Sequence, residues 1–251
     1  DEDYMNQYGF NWGYMPYNFN TPEGSFSTNP FDGYTRVKEL KTMIQALHFR
    51  NIRVIMDVVY NHTGETEGSQ FEMPSYYFRQ NEDGSYSNGS GTGNETASER
   101  SMFRKYMIDS IIFWAKEYNI SGFRFDLMGL HDVETMNEIR KAVNEIDPTI
   151  ILYGEPWAGG QLALKEPYRP ADRENIQYFS KNIAIFNAEF RDSIKGNVFA
   201  EKNAAFLQGA NIERVSDFAN IDLVAAIMAN TRMDAGGYEI PEYKAWADLP
   251  T

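Results

Sequence analysis

The chain has 251 residues, 42% of them hydrophobic, enough for one large domain or two small ones with a sizeable core. Its formal net charge of −13 argues against nucleic acid or another polyanion as partner, since phosphates must be met by clustered Lys and Arg. The absence of cysteine excludes disulfides and thiolate metal sites. No stretch approaches the roughly 18 apolar residues of a membrane span, so a membrane partner is not expected. The acidic start, Asp1-Glu2-Asp3-Tyr4, is unlike a signal peptide, and composition leaves the compartment open. Aromatic residues make up 15%. They suit either core packing or stacking on sugar rings, and composition does not choose between the two.

In chain order, the first predicted helix covers Thr35–Phe49, where Val37, Leu40, Ile44 and Leu47 form one apolar stripe. The β-branched run Ile52–Tyr60 predicts a strand. A long loop at 63–98, rich in Gly, Ser and Asn, leaves that strand. Its content suits a disordered insertion, but its place at a strand end suits a functional loop better. A second helix is predicted over Ser98–Tyr118, with Phe103, Met107, Ile111, Trp114 and Tyr118 on one face. A short strand at Gly122–Asp126 follows. The third helix, Val133–Glu145, is stopped by Asp147-Pro148, and the strand Thr149–Tyr153 runs into Gly154-Glu155-Pro156-Trp157.

Alternating strands and helices imply an α/β fold with a parallel sheet. The acidic residues at the strand ends suit the active-site face of a (β/α)8 barrel, and equally that of a doubly wound sheet. There is no GxGxxG or Walker loop to favour a nucleotide. Val54, Ile55 and Phe125 are expected in the buried layers of the sheet.

Two carboxyls are placed for general chemistry. Arg124 and Asp126 lie two apart in a strand and so share a face, where a guanidinium favours a charged carboxylate. Glu155, between Gly154 and Pro156-Trp157, has apolar neighbours that favour its protonated form. One ionised and one protonated carboxyl, about 5–5.5 Å apart, is the requirement of a retaining glycosidase. Either carboxylate taken alone would more readily be a structural ion pair.

These segments carry a resemblance. Asp57-Val58-Val59-Tyr60-Asn61-His62, Gly122-Phe123-Arg124-Phe125-Asp126 and Gly154-Glu155-Pro156-Trp157 are similar to three of the four signature regions of the α-amylase superfamily, in family order. Phe10-Asn11-Trp12-Gly13-Tyr14-Met15-Pro16 resembles the YNWGYDP motif of type I pullulanases. Thr21–Pro30, Gly89–Glu99 and Leu127–Leu130 extend the match, which runs from about Asp3 to about Gly209.

The resemblance implies a (β/α)8 TIM-type barrel, here without its first two and last two strand units. Residues 1–209 would form the partial barrel, and 210–251 a C-terminal segment of open assignment. It implies hydrolysis of α-1,6-glucosidic bonds in pullulan and branched α-glucans with retention, Asp126 being nucleophile and Glu155 acid/base. Arg124 would orient the nucleophile, His62 would bond the sugar and Tyr14 would stack on it. Trp157 would line the cleft. Asp57 would join the substrate site and, with Asn61, brace the loop behind its strand. No cofactor is implied, although Asn61 is a possible calcium ligand in relatives; the converging oxygens of a calcium site are not identifiable.

Two departures stand out. Met15 replaces the motif's Asp. None of the three histidines, His48, His62 and His131, follows Glu155, so the His-Asp pair of the fourth region is missing. Asp217, Asp222 and Asp234 lie in the wrong context to replace it. The chain alone is therefore expected to bind α-glucan weakly and to hydrolyse pullulan slowly or not at all. The alternatives are a catalytically impaired glucan-binding fragment and an α-1,4-acting member of the superfamily.

Overall fold

The computed structural model describes residues 12–71 and 73–196. The chain divides into two compact units, at Asp172 and Arg173. Every residue singled out by the sequence, up to Trp157, belongs to the first unit. The segment 210–251 and its candidate aspartates lie outside the described residues.

In the first unit the order is α1 (Gly33–Phe49), β1 (Ile55–Val58), a single turn α2 (Pro74–Tyr77), α3 (Ser101–Glu117), β2 (Gly122–Phe125), α4 (Val133–Asn144) and β3 (Ile151–Gly154). α1 starts two residues earlier than its apolar stripe predicts. Asp32 caps it, accepting from the backbone N–H groups of Tyr34 and Thr35. Asp132 does the same for α4, accepting from Thr135 N–H at 2.9 Å. The predicted strands Ile52–Tyr60 and Thr149–Tyr153 become Ile55–Val58 and Ile151–Gly154, the residues in ladder register with β2.

β1 pairs with β2 and β2 with β3, all parallel. α3 and α4, the crossovers on either side of β2, pack against each other. Their predicted stripes are the core: Phe103, Met107, Ile111, Trp114, Met136, Ile139 and Val143 are at most 1% exposed. Part of the aromatic content belongs to this interior. Phe19, Tyr60, Phe71, Phe103 and Tyr106 form a chain of ring contacts with centroids 4.9–6.2 Å apart.

One expectation is corrected here. Phe125 is fully buried, but Ile55 is 38% exposed and Val54 is half-buried. β2 has a neighbour on both sides. β1 has one on the β2 side only among the described residues of this unit, so its β-branched residues are less covered.

The long loop between β1 and α3 is ordered by pairing. Phe78 bridges Thr96 and Gln80 bridges Tyr86, both antiparallel. Residues 94–98 are buried. In the second unit, β4 (Ile183–Ile185) precedes the helix α5 (Ala188–Lys195).

Candidate functional site

Sheet register assembles the site. Asp57 lies opposite Arg124, and Phe125 opposite Gly154. Asp126 and Glu155 therefore occupy equivalent positions, one residue past the ends of neighbouring strands. The ladder continues through them: Asp126 N–H donates to Val58 O at 3.0 Å, and Glu155 N–H to Phe125 O at 3.1 Å. Parallel strands run about 4.8 Å apart, so the two carboxyl-bearing residues start from neighbouring backbone positions. A side chain at residue 154 would block this placement, since a Cβ there would come within 2.7 Å of Met128 Cβ and Phe125 O.

Arg124 lies at the centre. Its Nη1 is 2.8 Å from Asp57 Oδ1 and 2.9 Å from Asp126 Oδ1, and its Nη2 is 2.7 Å from Glu155 Oε1. One guanidinium thus holds three carboxylates. Its own pKa is raised: burial opposes the charge, but hydrogen bonds to Asp57 and Asp126 and the nearby Glu155 charge outweigh that.

Around this centre the predicted residues converge. Asn61 Nδ2 donates to Asp126 Oδ2 and to its backbone O, both at 2.9 Å. Asn61 Oδ1 faces His62 Nδ1 at 2.5 Å. The other nitrogen of His62, Nε2, is buried and finds no hydrogen-bond partner among the described residues. Burial lowers the pKa of His62, outweighing Tyr14's backbone and the Asp126 charge, so its ring is neutral at pH 7. Tyr14 donates its hydroxyl to Asp57 Oδ2 at 2.8 Å. Burial first, then the Asp57 hydrogen bond, pushes the Tyr14 pKa up to about 12. Trp157 is half-buried, and its backbone leaves no room for a Cβ on Gly129.

Glu155 holds its proton more tightly than an ordinary glutamate. Burial raises its pKa, and Asp126 and Asp57 add to the rise, against the Leu127 N–H and Arg124. That N–H donates to Oε2 at 2.8 Å. It is aimed there by Leu127 itself, at φ 42° and ψ 50°. The other left-handed non-glycine residues among those described are asparagines, which tolerate this region better than leucine. Strained backbone beside chemical groups is a recurrent property of functional sites.

Met15 is half exposed, its carbonyl facing Gly64. A cavity of about 520 Å³ lies beside β1 and includes Met15 and Asp57 in its lining, but neither Asp126 nor Glu155. Three residues from the long loop, Asn94, Glu95 and Thr96, bond into the site's supports. They were not assigned a role from sequence, because a polar run among Gly and Ser reads as solvent-exposed. Arg79, the buried partner of Glu95, carries no local signal either. Among the described residues there is no group of three His, Cys, Asp or Glu that could hold a metal ion.

Comparison with known proteins gives a consistent result. No family model matches the chain. It is 44% identical over 202 residues to pullulanase of Bacillus subtilis (strain 168), covering 80% of this chain and 28% of that protein. It is 36% identical over 210 residues to pullulanase of Klebsiella pneumoniae, covering 81% and 19%. The crystal structure of Paenibacillus barengoltzii pullulanase, in complex with maltohexaose and α-cyclodextrin, matches with TM-score 0.83 at 43% identity, covering 92% of this chain and 35% of that one. The chain thus spans under a third of the length of these curated relatives. On sequence and fold together, the chain belongs to the pullulanase family of the α-amylase superfamily, as part of a type I pullulanase domain.

Proposed function

We propose that the chain carries the nucleophile and the acid/base of a retaining glycoside hydrolase that cleaves α-1,6-glucosidic bonds in branched α-glucans. The observation that carries this reading is the pair Asp126 and Glu155, set side by side past adjacent parallel strands and held by one arginine. The wider architecture is a (β/α)8 barrel, of which this chain supplies inner strand units without the first two and last two. Catalytic residues at the C-terminal ends of parallel strands support it. The segment 1–209 is the barrel part in this reading.

The chemistry follows from the two environments. Glu155, whose hold on its proton is strengthened by burial, protonates the glycosidic oxygen. Asp126, kept in line by Arg124 and Asn61, attacks the anomeric carbon as the C–O bond breaks. The sugar is then bound to Asp126 as an ester and the shortened glucan leaves. Glu155, now a base, takes a proton from water, which displaces Asp126 with a second inversion and net retention. His62 Nε2, buried and without a hydrogen-bond partner among the described residues, is assigned to a sugar hydroxyl. Tyr14 is the ring for stacking and Trp157 the wall of the cleft. No metal enters this scheme.

The test is pullulan hydrolysis with product analysis. Maltotriose supports α-1,6 cleavage, whereas panose would mean an α-1,4 specificity. A second reading, a glucan-binding fragment of impaired activity, is favoured by one observation: no histidine follows Glu155, so the third charge-stabilising group of the superfamily is not in its usual setting. Maltooligosaccharide binding without turnover would select it.

A further inference from the structure

The long loop delivers three consecutive buried side chains to three different supports of the site. Asn94 is 3% exposed and pairs reciprocally with Thr63: its Oδ1 accepts from Thr63 N–H at 3.0 Å, and its Nδ2 donates to Thr63 O at 2.9 Å. Thr63 directly follows His62. Thr96, 1% exposed, donates its hydroxyl to Tyr60 O at 2.6 Å, and its N–H donates to Asn61 O at 2.9 Å. Asn94 and Thr96 thus clamp residues 60–63 like a short added strand.

Glu95 lies between them and reaches the other way. It is fully buried. Its Oε1 accepts from Ala163 N–H at 3.0 Å and faces Arg79 Nη1 at 3.3 Å, and its Oε2 accepts from Gly89 N–H at 2.6 Å. Gly89 O in turn accepts from Gly160 N–H at 2.8 Å. The segment after Glu155 is therefore tied to the long loop at two points. Arg79 Nη1 also donates to Leu130 O at 2.8 Å, in the turn that follows Asp126. Burying a carboxylate is costly unless it is fully partnered. Here the carboxylate joins the loop's own Gly89 to Ala163, in the segment that follows Glu155, and to Arg79, which holds Leu130 O in the turn after Asp126.

We propose that Asn94-Glu95-Thr96 is a positioning staple, which sets His62, Asp126 and Glu155 relative to one another from outside the reacting centre. This rests on the functional reading above and deepens it. None of the three touches the reacting atoms; each acts through the backbone of its neighbour.

Amide hydrogen exchange on the full chain tests the staple without turnover. Four variants are compared: Asn94→Asp, Glu95→Gln, Thr96→Val and Thr96→Ser. Asn94→Asp sets an acceptor against Thr63 O and should raise exchange at residues 61–64. Glu95→Gln should raise it at 89 and 157–164. Thr96→Val keeps the shape, loses the hydroxyl and should raise exchange at 60–63, and Thr96→Ser should restore it. Where pullulan is hydrolysed, kcat should fall roughly 10- to 100-fold, as for an ångström-scale misplacement of reacting groups, with KM changed much less. Thr96→Val is mild enough to carry the test if Glu95→Gln does not fold. Unchanged exchange, or a rise spread evenly through α3 and α4, would overturn the staple, as would full kcat in Thr96→Val. Asp126→Asn in parallel separates the two claims: if it keeps activity, the catalytic reading fails whatever the loops do.

Discussion

Nη2 of Arg124 lies 2.7 Å from Oε1 of Glu155, while Nη1 of the same guanidinium reaches Asp126 and Asp57. The acid/base and the nucleophile therefore share one cation. Replacing Arg124 by Met should cost about 10²–10³ in kcat, the range for loss of one preorganised electrostatic group. The pH profile should move too. Arg124 lowers the pKa of Glu155, so its removal raises that pKa further. Glu155 would keep its proton to higher pH, and the basic limb of the residual kcat/KM should shift upward. An unmoved basic limb would show that Glu155 does not titrate there.

Glu155 should also be a cost to stability. Its folded pKa is raised above the unfolded value, chiefly by burial. Below the unfolded pKa both states hold the proton and nothing is lost. As pH rises through the folded pKa, the stability from holding that proton in the fold is lost. Glu155→Gln should therefore melt higher than the parent at pH 7, with the gap closing below about pH 4, near the unfolded glutamate pKa. Thermal unfolding at the two pH values checks this.

The His62 ring is neutral, and its Nε2 has no hydrogen-bond partner among the described residues. His62→Ala should raise KM about 5- to 10-fold, the equivalent of one hydrogen bond of about 1–1.5 kcal/mol. A Kd titration with maltotriose checks it, and unchanged affinity would remove His62 from the sugar site.

Arg79→Met leaves the buried Glu95 without its cation. Breaking a buried pair from one side costs about 3–5 kcal/mol. Denaturant unfolding of the variant should show a loss of that size, whereas Lys105→Met, at an exposed pair, should lose well under 1 kcal/mol.

Much of the centre was legible in the sequence, since it rests on local rules. Arg124 and Asp126 share a strand face because they are two apart, and Asp126 and Glu155 end up adjacent because parallel strands stay in register. The contrast in the surroundings of Glu155 could be read from Gly154, Pro156 and Trp157. What was not legible depends on partners distant in sequence. Glu95 is buried by Arg79 and by Ala163, 68 residues on. The left-handed turn at Leu127 has no sign in a residue type that avoids it. Ile55 read as core from its type, but exposure at a sheet edge is a property of the neighbours.

The most direct test of the central claim is mass spectrometry of Glu155→Gln after incubation with α-maltotriosyl fluoride. Fluoride leaves without needing an acid, and the missing base slows hydrolysis of the ester. The account predicts a maltotriosyl adduct on the peptide that contains Asp126. An adduct on any other carboxylate would contradict it.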